Sequence, residues 1–286
     1  MCRVYGVTRA GFYAWRSRGP SQRVQENETL SGQIRRVHQA SRGTYGSPRV
    51  YQRLQELGIS VGENRVAKLM SQLGIQGRWA TLRYTSPNLK KFYGSLPNQQ
   101  YEHPAEQPDQ VWVGDITYLK VGSIYRYLMK QLAIPLGWQK TPTKWLVMAV
   151  VMDRCSRRII GWALGQQRNL VLTLRALNHA VAKRRPPPGL IFHTDRGIEY
   201  YANAFRERLK QLQITQSMNR PGKVTDNAFM ESFFHSMKAD VIHGNTFSED
   251  NQLLSVLRSY FPFYNHSRMH SSLNYVSPAT YENHLA

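Results

Sequence analysis

The chain reads as a mixed α/β domain preceded by a small, basic, all-α region, and three observations predict that arrangement. From about Glu28 to Leu73, apolar residues recur at helical spacing. From Val111 onward three strand-like runs follow one another, after which helical and strand-like segments alternate. Between them lies a basic stretch holding Pro87, Pro97, Pro104 and Pro108 with no sustained periodicity. The expected divisions are a helix-turn-helix-like region over 1–75, a linker over 76–108, a five-stranded α/β core with flanking helices over 109–245, and a helical extension over 246–286.

In LSGQIRRVHQA, Leu30, Ile34 and Val37 share one helical face while Arg35 and Arg36 lie largely off it. SRGTYGSPR then breaks the chain, VYQRLQEL is helical again, and GENRVAKLMSQLG brings a turn and a helix carrying Val66, Leu69 and Met70. Helix, turn and helix with surplus arginine suit DNA binding, with Arg49, Arg65 and Lys68 as candidate contacts. A basic helical domain with no groove-reading role carries the same pattern.

In the core, VWVGDITYLKV alternates like a strand, KWLVMAVVMD is an almost unbroken apolar run, and RIIGWALG is a third strand, together a meander. Residues 123–143, between the first two, are expected as an extended loop. NLVLTLRALNHAVAKRR has leucines at helical spacing and is closed by Pro186, Pro187, Pro188 and Gly189. LIFHTD is the fourth strand, ANAFRERLKQL a helix, ITQSM the fifth strand, and DNAFMESFFHSMKADVI a helix that Thr225 or Asp226 is placed to cap. Three antiparallel strands, then strands joined through helical crossovers, are the order of a ribonuclease-H-like domain.

At 286 residues the chain has room for one principal core and one or two appendages. The formal charge is +20, from 38 Lys and Arg against 18 Asp and Glu, an imbalance that points to a polyanionic partner. No run reaches the roughly 18 apolar residues of a membrane span. The first twenty residues lack the apolar centre of a secretion signal, so no membrane role and a cytoplasmic, nucleoid-associated address are expected. Two cysteines permit at most one disulfide and cannot supply a zinc site from thiolates alone.

Three acids stand out. Asp115 lies inside the first strand, where a charge is costly unless it lies at an edge, pairs or binds a cation. Asp195 follows the apolar run LIFH at a strand's carboxyl end, where open α/β sheets carry binding groups. Glu231 lies on the last core helix. At about 100° per residue, Met230, Phe233, Phe234, Met237 and Val241 form an apolar stripe, and Glu231, His235 and Lys238 a second stripe beside it. Alone, that is equally an ordinary amphipathic helix. Three carboxylates from separate elements are, however, what a pair of divalent ions about 3.5 to 4 Å apart needs for in-line phosphoryl displacement.

GDITYL, HTDRGIEY and DNAFMESFFHSMK, with NHSRMHSSLNYVSP near the end and SRGTYGSPRVYQRLQELG ahead of the core, resemble the bacterial insertion-sequence transposases of the retroviral-integrase superfamily. More narrowly, the chain is similar to the second-reading-frame product of elements that encode the transposase in two overlapping frames. The resemblance implies that Asp115, Asp195 and Glu231 are a catalytic, metal-binding triad for Mg²⁺, with Mn²⁺ as a substitute and two ions as the expected number. It implies cleavage at transposon ends followed by attack of the freed 3′-hydroxyl on another phosphodiester, with Lys238, Arg196 and His235 positioning the strand. A circular intermediate, double-stranded DNA as transposon ends and target, homo-oligomeric assembly on DNA, and an upstream-frame helix-turn-helix partner, fused or separate, follow from the same likeness. The chain departs from the family in its long 123–143 segment and in Ile198 and Glu199, where small polar residues are usual; Glu199 is a weak competitor for metal.

Two rivals share part of this pattern: a non-enzymatic DNA-binding regulator, and a structure-selective nuclease without strand transfer. Among smaller signals, Asp153 is expected to cap or pair locally, while His193 is open between a structural and a DNA-touching role. The arginines around NHSRMHSSL, with Tyr264 and Tyr275, fit either phosphate contact or plain surface.

Overall fold

The computed structural model describes residues 6–78, 97–101, 103–121, 144–221, 224–243, 245, 247 and 249–285. The 123–143 loop and the greater part of the expected linker lie outside them. The chain divides into two compact units, Met1–Arg78 and Trp79–Ala286.

In the first unit, α1 (Arg9–Ser17), α2 (Gln22–Ala40), α3 (Ser47–Glu56) and α4 (Glu63–Gln72) follow one another. Its core is Leu30, Ile34 and Val37 of α2, Val50 and Leu54 of α3, and Val66, Leu69 and Met70 of α4, the stripes that spacing predicts. Arg65 reaches back to Asn27 Oδ1 through Nε (2.9 Å) and Nη2 (2.7 Å) and pairs with Glu26, tying α4 to α2. Helix α1 precedes the stretch that periodicity marks as helical. Thr8 caps it, Oγ1 accepting from the Gly11 amide at 3.0 Å, and α1 buries none of its residues.

The second unit is built on β1 (Val111–Val121), β2 (Lys144–Asp153), β3 (Ile159–Gly165), β4 (Ile191–Thr194) and β5 (Thr215–Met218). They form one sheet in the order β3-β2-β1-β4-β5. β1 with β2 and β2 with β3 are antiparallel, whereas β1 with β4 and β4 with β5 are parallel. This is the ribonuclease-H-like sheet that the element order predicts. The flanking helices are α5 (Leu170–Arg184), α6 (Asn203–Gln211), α7 (Ala228–Met237), α8 (Asp250–His266) and α9 (Pro278–Leu285).

Alternation along the strands divides the core in two. Val147, Ala149 and Val151 of β2 join Trp112, Phe192, and the α5 and α6 residues Leu172, Leu177, Phe205 and Leu209 on one face. Leu146, Met148, Val150 and Met152 join Val113, Met230 and Phe233 of α7, and Leu253, Leu257 and Phe261 of α8 on the other. Burial on both faces is why β2 reads as an unbroken apolar run.

Residues beyond 245 are tied closely to the sheet. Asn265 of α8 accepts from the Ile159 amide (2.9 Å) and donates to the Ile159 carbonyl (2.8 Å). Glu282 of α9 accepts from Ser156 Oγ at 2.7 Å and from Arg158 and Arg184. Arg268 and Tyr264 are buried, Arg268 bonded to Asp240 at 2.7 Å, so neither is the phosphate-contacting surface that their sequence context allowed.

Helix α5 sits directly on β3. A Cβ added at Gly161 would lie 2.3 Å from the Ala176 carbonyl oxygen and 2.8 Å from Ala180 Cβ. Backbone cannot yield as a side-chain tip can, so Gly161→Ala is expected to lower unfolding stability by roughly 1–3 kcal/mol, read from the denaturant midpoint. An unchanged midpoint would show that α5 moves away freely.

Candidate active site

The parallel pairing of β1 with β4 ends with Gly114 opposite Thr194. One residue farther along, the two chains carry Asp115 and Asp195. Gly114 leaves room for the Phe192 ring: a Cβ there would lie 2.7 Å from Phe192 Cζ. Alternation sends Trp112 and Phe192 into the α5 and α6 layer and Val113 toward α7, so Asp115 points to the α7 side.

Asp115 Oδ1 accepts from its neighbour's amide, Ile116, at 2.7 Å, and Asp195 Oδ1 accepts from the Gly197 amide at 3.0 Å. Burial and then the charge of Asp195 hold the Asp115 carboxyl well above the usual carboxylate range; the Ile116 amide and Arg168 oppose this, and Glu231 adds to it. Burial likewise raises Asp195, opposed by the Gly197 amide and Arg168 and reinforced by Glu199. Glu231 is exposed on α7, and the desolvation that it does experience raises its carboxyl. The structure thus brings the two aspartates together, with Glu231 near enough for its charge to act on Asp115. Among the described residues, no three acidic, histidine or cysteine side chains gather closely enough to hold a metal ion as they stand.

Helix α7 is fixed beside β1 by its apolar stripe and by Asn227, whose Nδ2 donates to the Gly114 carbonyl at 3.5 Å. The cap differs from expectation. Asn227 occupies the cap position, and Asp226 instead turns away to accept from the Arg220 amide (2.9 Å), Arg220 Nη2 (2.9 Å) and Asn98 Nδ2 (2.8 Å). After Met237 the helix widens into one π-type turn, Lys238–Ile242, with the His243 amide bonded to the Lys238 carbonyl at 2.8 Å. Burial lowers the Lys238 ammonium, and the charge of Asp115 counters it, which places Lys238 within the field of that carboxylate. His235, half-buried, lies on the same stripe.

Other candidate residues are placed as follows. Arg196 donates from Nε to the Asn219 carbonyl at 2.6 Å. In the first unit Arg49 lies over the Tyr45 ring at 5.9 Å and Lys68 is exposed on α4. Asp153 is a turn cap, accepting from the Ser156 amide (2.9 Å) and the Asp109 amide (2.7 Å). His193 is structural: buried, with Nδ1 against Ser217 Oγ (2.8 Å) and Nε2 against Asn219 Oδ1 (2.7 Å) and Gln100 Nε2 (3.1 Å).

Sequence reasoning missed Arg168. Its Nε and Nη2 donate to Glu199 Oε1 and Oε2 at 2.8 and 3.1 Å, a bidentate pair beside the aspartates. The one sequence signal was Glu199 itself, an acid in an apolar neighbourhood that requires a cation.

Two outcomes follow. A carboxyl raised by folding favours the folded state while protonated, and that advantage is lost as pH rises through its folded pKa. In metal-free buffer at pH 7, Asp115→Asn is therefore expected to raise the thermal midpoint; a fall would show that the pair is stabilising. Burial pushes His193 down to about 4 from an ordinary value of 6.5, so stability is lost as pH falls through that window. The His193 ring resonances should stay neutral at pH 5.5; titration near 6.5 would contradict the burial.

Family models match most of the chain. A family model described as an integrase core domain matches residues 105–224, a second of that description matches 212–278, and an HTH-like domain matches 25–81. The chain is 35% identical over 285 residues to the insertion element IS600 uncharacterized 31 kDa protein of Shigella sonnei, covering 98% of this chain and 97% of that one. It is 33% identical over 269 residues to the transposase for insertion sequence element IS904 of Lactococcus lactis subsp. lactis, covering 93% and 98%. It is 31% identical over 290 residues to transposase InsF for insertion sequence IS3A of Escherichia coli, covering 99% and 93%. The chain belongs to the insertion-sequence transposases that carry an integrase core domain.

Proposed function

We propose that Asp115, Asp195 and Glu231 form the divalent-metal site at which this transposase cuts DNA and joins the freed 3′-hydroxyl to a new phosphodiester. The family's reaction is DNA cleavage and strand transfer at insertion-sequence ends, a polynucleotidyl transfer. What carries the residue assignment is the pairing of β1 with β4, which forces two carboxylates together against their mutual repulsion.

The donor set fits a divalent cation: hard carboxylate oxygens, two already adjacent and lifted toward protonation. Asp115 and Asp195 would hold Mg²⁺, or Mn²⁺ in its place, with Glu231 supplying the third carboxylate from α7. When bound, two such ions supply activation of the attacking oxygen and stabilisation of the leaving oxygen. The Ile116 and Gly197 amides fix one oxygen of each aspartate and so aim the others. Lys238 brings a cation beside Asp115, on the side from which a phosphate approaches, and His235 and Arg196 flank that approach. In cleavage, water forms a bond to phosphorus and the 3′-oxygen departs with a proton. In joining, that 3′-hydroxyl bonds to a second phosphorus and displaces another 3′-oxygen. Arg49 and Lys68 serve as contacts to the duplex in the helix-turn-helix-like region, and Arg65 orients α4. Assembly as a homo-oligomer on DNA in the cytoplasm, together with an upstream-frame partner, completes this reading.

Asp115→Asn, Asp195→Asn and Glu231→Gln are each expected to reduce cleavage and joining by more than the roughly 10–100-fold typical of a residue that only supports a metal site. A pre-cut end with a free 3′-hydroxyl separates the functions: joined product in Mg²⁺ supports the transposase, and cleavage without joining would leave a nuclease. If Glu231→Gln retains full joining, the third carboxylate is misassigned.

A further inference from the structure

Arg168 and Glu199 form an ion pair that lies on the shoulder of the aspartate pair. The guanidinium meets both carboxylate oxygens, at 2.8 and 3.1 Å, and Glu199 is only 6% exposed. The pair is not remote from the acids. The position that a Cβ on Gly197 would occupy lies 2.9 Å from Arg168 Nη2, 2.9 Å from Asp195 Oδ1 and 3.0 Å from Glu199 Oε2. All three groups therefore surround one point, which only glycine leaves open. Arg168 also lies close enough to act on both aspartates, and Glu199 on Asp195.

This arrangement sets the charge of the site. Without Arg168, Glu199 would be a further buried carboxylate beside Asp195, a hard oxygen donor able to draw a cation out of place. Without Glu199, Arg168 would bring an unopposed positive charge next to the position that a metal ion takes. With both present, the pair contributes no net charge, and the fork-shaped hydrogen bonding uses both Glu199 oxygens.

We infer that Arg168 is a positioning residue for the transposition site: it holds Glu199 out of the metal set and keeps the net charge around Asp115 and Asp195 at a value suited to exchangeable Mg²⁺. The inference rests on the metal-site reading above.

Full-length wild-type protein, Arg168→Gln, Glu199→Gln, the double variant and Asp195→Asn are titrated with MgCl₂ without DNA, following the thermal midpoint by intrinsic fluorescence. Each is also assayed for joining of a pre-cut end in Mg²⁺. Arg168→Gln should bind at roughly tenfold lower MgCl₂ than wild type and Glu199→Gln at roughly tenfold higher, because a unit charge so near a buried site has changed. The double variant should return to within about threefold of wild type in both Mg²⁺ midpoint and joining, although it lacks the bidentate bond as completely as Arg168→Gln does. A purely structural ion pair predicts the opposite: Arg168→Gln and the double variant equally impaired. That result, or Mg²⁺ midpoints unmoved by either single change, overturns the inference. If Arg168→Gln fails to fold, the shift in Glu199→Gln and its cancellation in the double variant decide the matter. Asp195→Asn separates the two readings: loss of its Mg²⁺ response with unmoved Arg168 and Glu199 variants sinks this inference alone, and a retained Mg²⁺ response sinks the metal site beneath it.

Discussion

The constraint on which the structure turns is the forced proximity of two negative charges. Parallel pairing of β1 with β4 fixes where Asp115 and Asp195 stand, whatever those side chains would prefer. Burial and repulsion then raise both carboxyls. A fold selected for stability alone would place an amide or an alkyl group at such a position. Retaining two acids there means that the apolar layers on both faces of the sheet supply the free energy that holds them.

The surroundings serve that constraint at short range. Gly114 leaves room for the Phe192 ring beside the β1–β4 pairing, and Gly197 leaves room for Asp195, Glu199 and Arg168 to converge. His193 fastens β4 to β5 and to the segment around Gln100, whose Nε2 also donates to the Asp226 carbonyl at 2.7 Å, next to the start of the Glu231 helix. The third acid is placed by the apolar stripe of its helix and by hydrogen bonds at that helix's start, while the first two are placed by the sheet. Stiff backbone and local amides hold the aspartates, whereas Glu231 stands exposed on a helix.

Much of the fold was legible because it rests on local periodicity. The five strands and helices α5, α6 and α7 fall where the sequence pattern predicts, since each buries an apolar face whose repeat is written in the chain. Helix α1 lies outside the stretch read as helical, and its Phe12 and Trp15, three residues apart, stay exposed. The cap of α7 departs from expectation because Asp226 is claimed by Arg220, six residues before it, and by Asn98, which is near it only in space. The Arg268 and Tyr264 environment was equally hidden, since a buried ion pair with Asp240 and a solvated surface have the same sequence.

The sequence by itself determined the element order, the two apolar faces of the sheet, the basic character, and the identity of the acids, because composition and period are properties of the chain. Tertiary structure decided which acids meet. Strand register joined Asp115 to Asp195, the packing of α7 against β1 brought the charge of Glu231 to bear on Asp115, and a loop arginine 31 residues before Glu199 became its partner. Such pairings depend on distances across the fold, which fall off too sharply for spacing along the chain to encode.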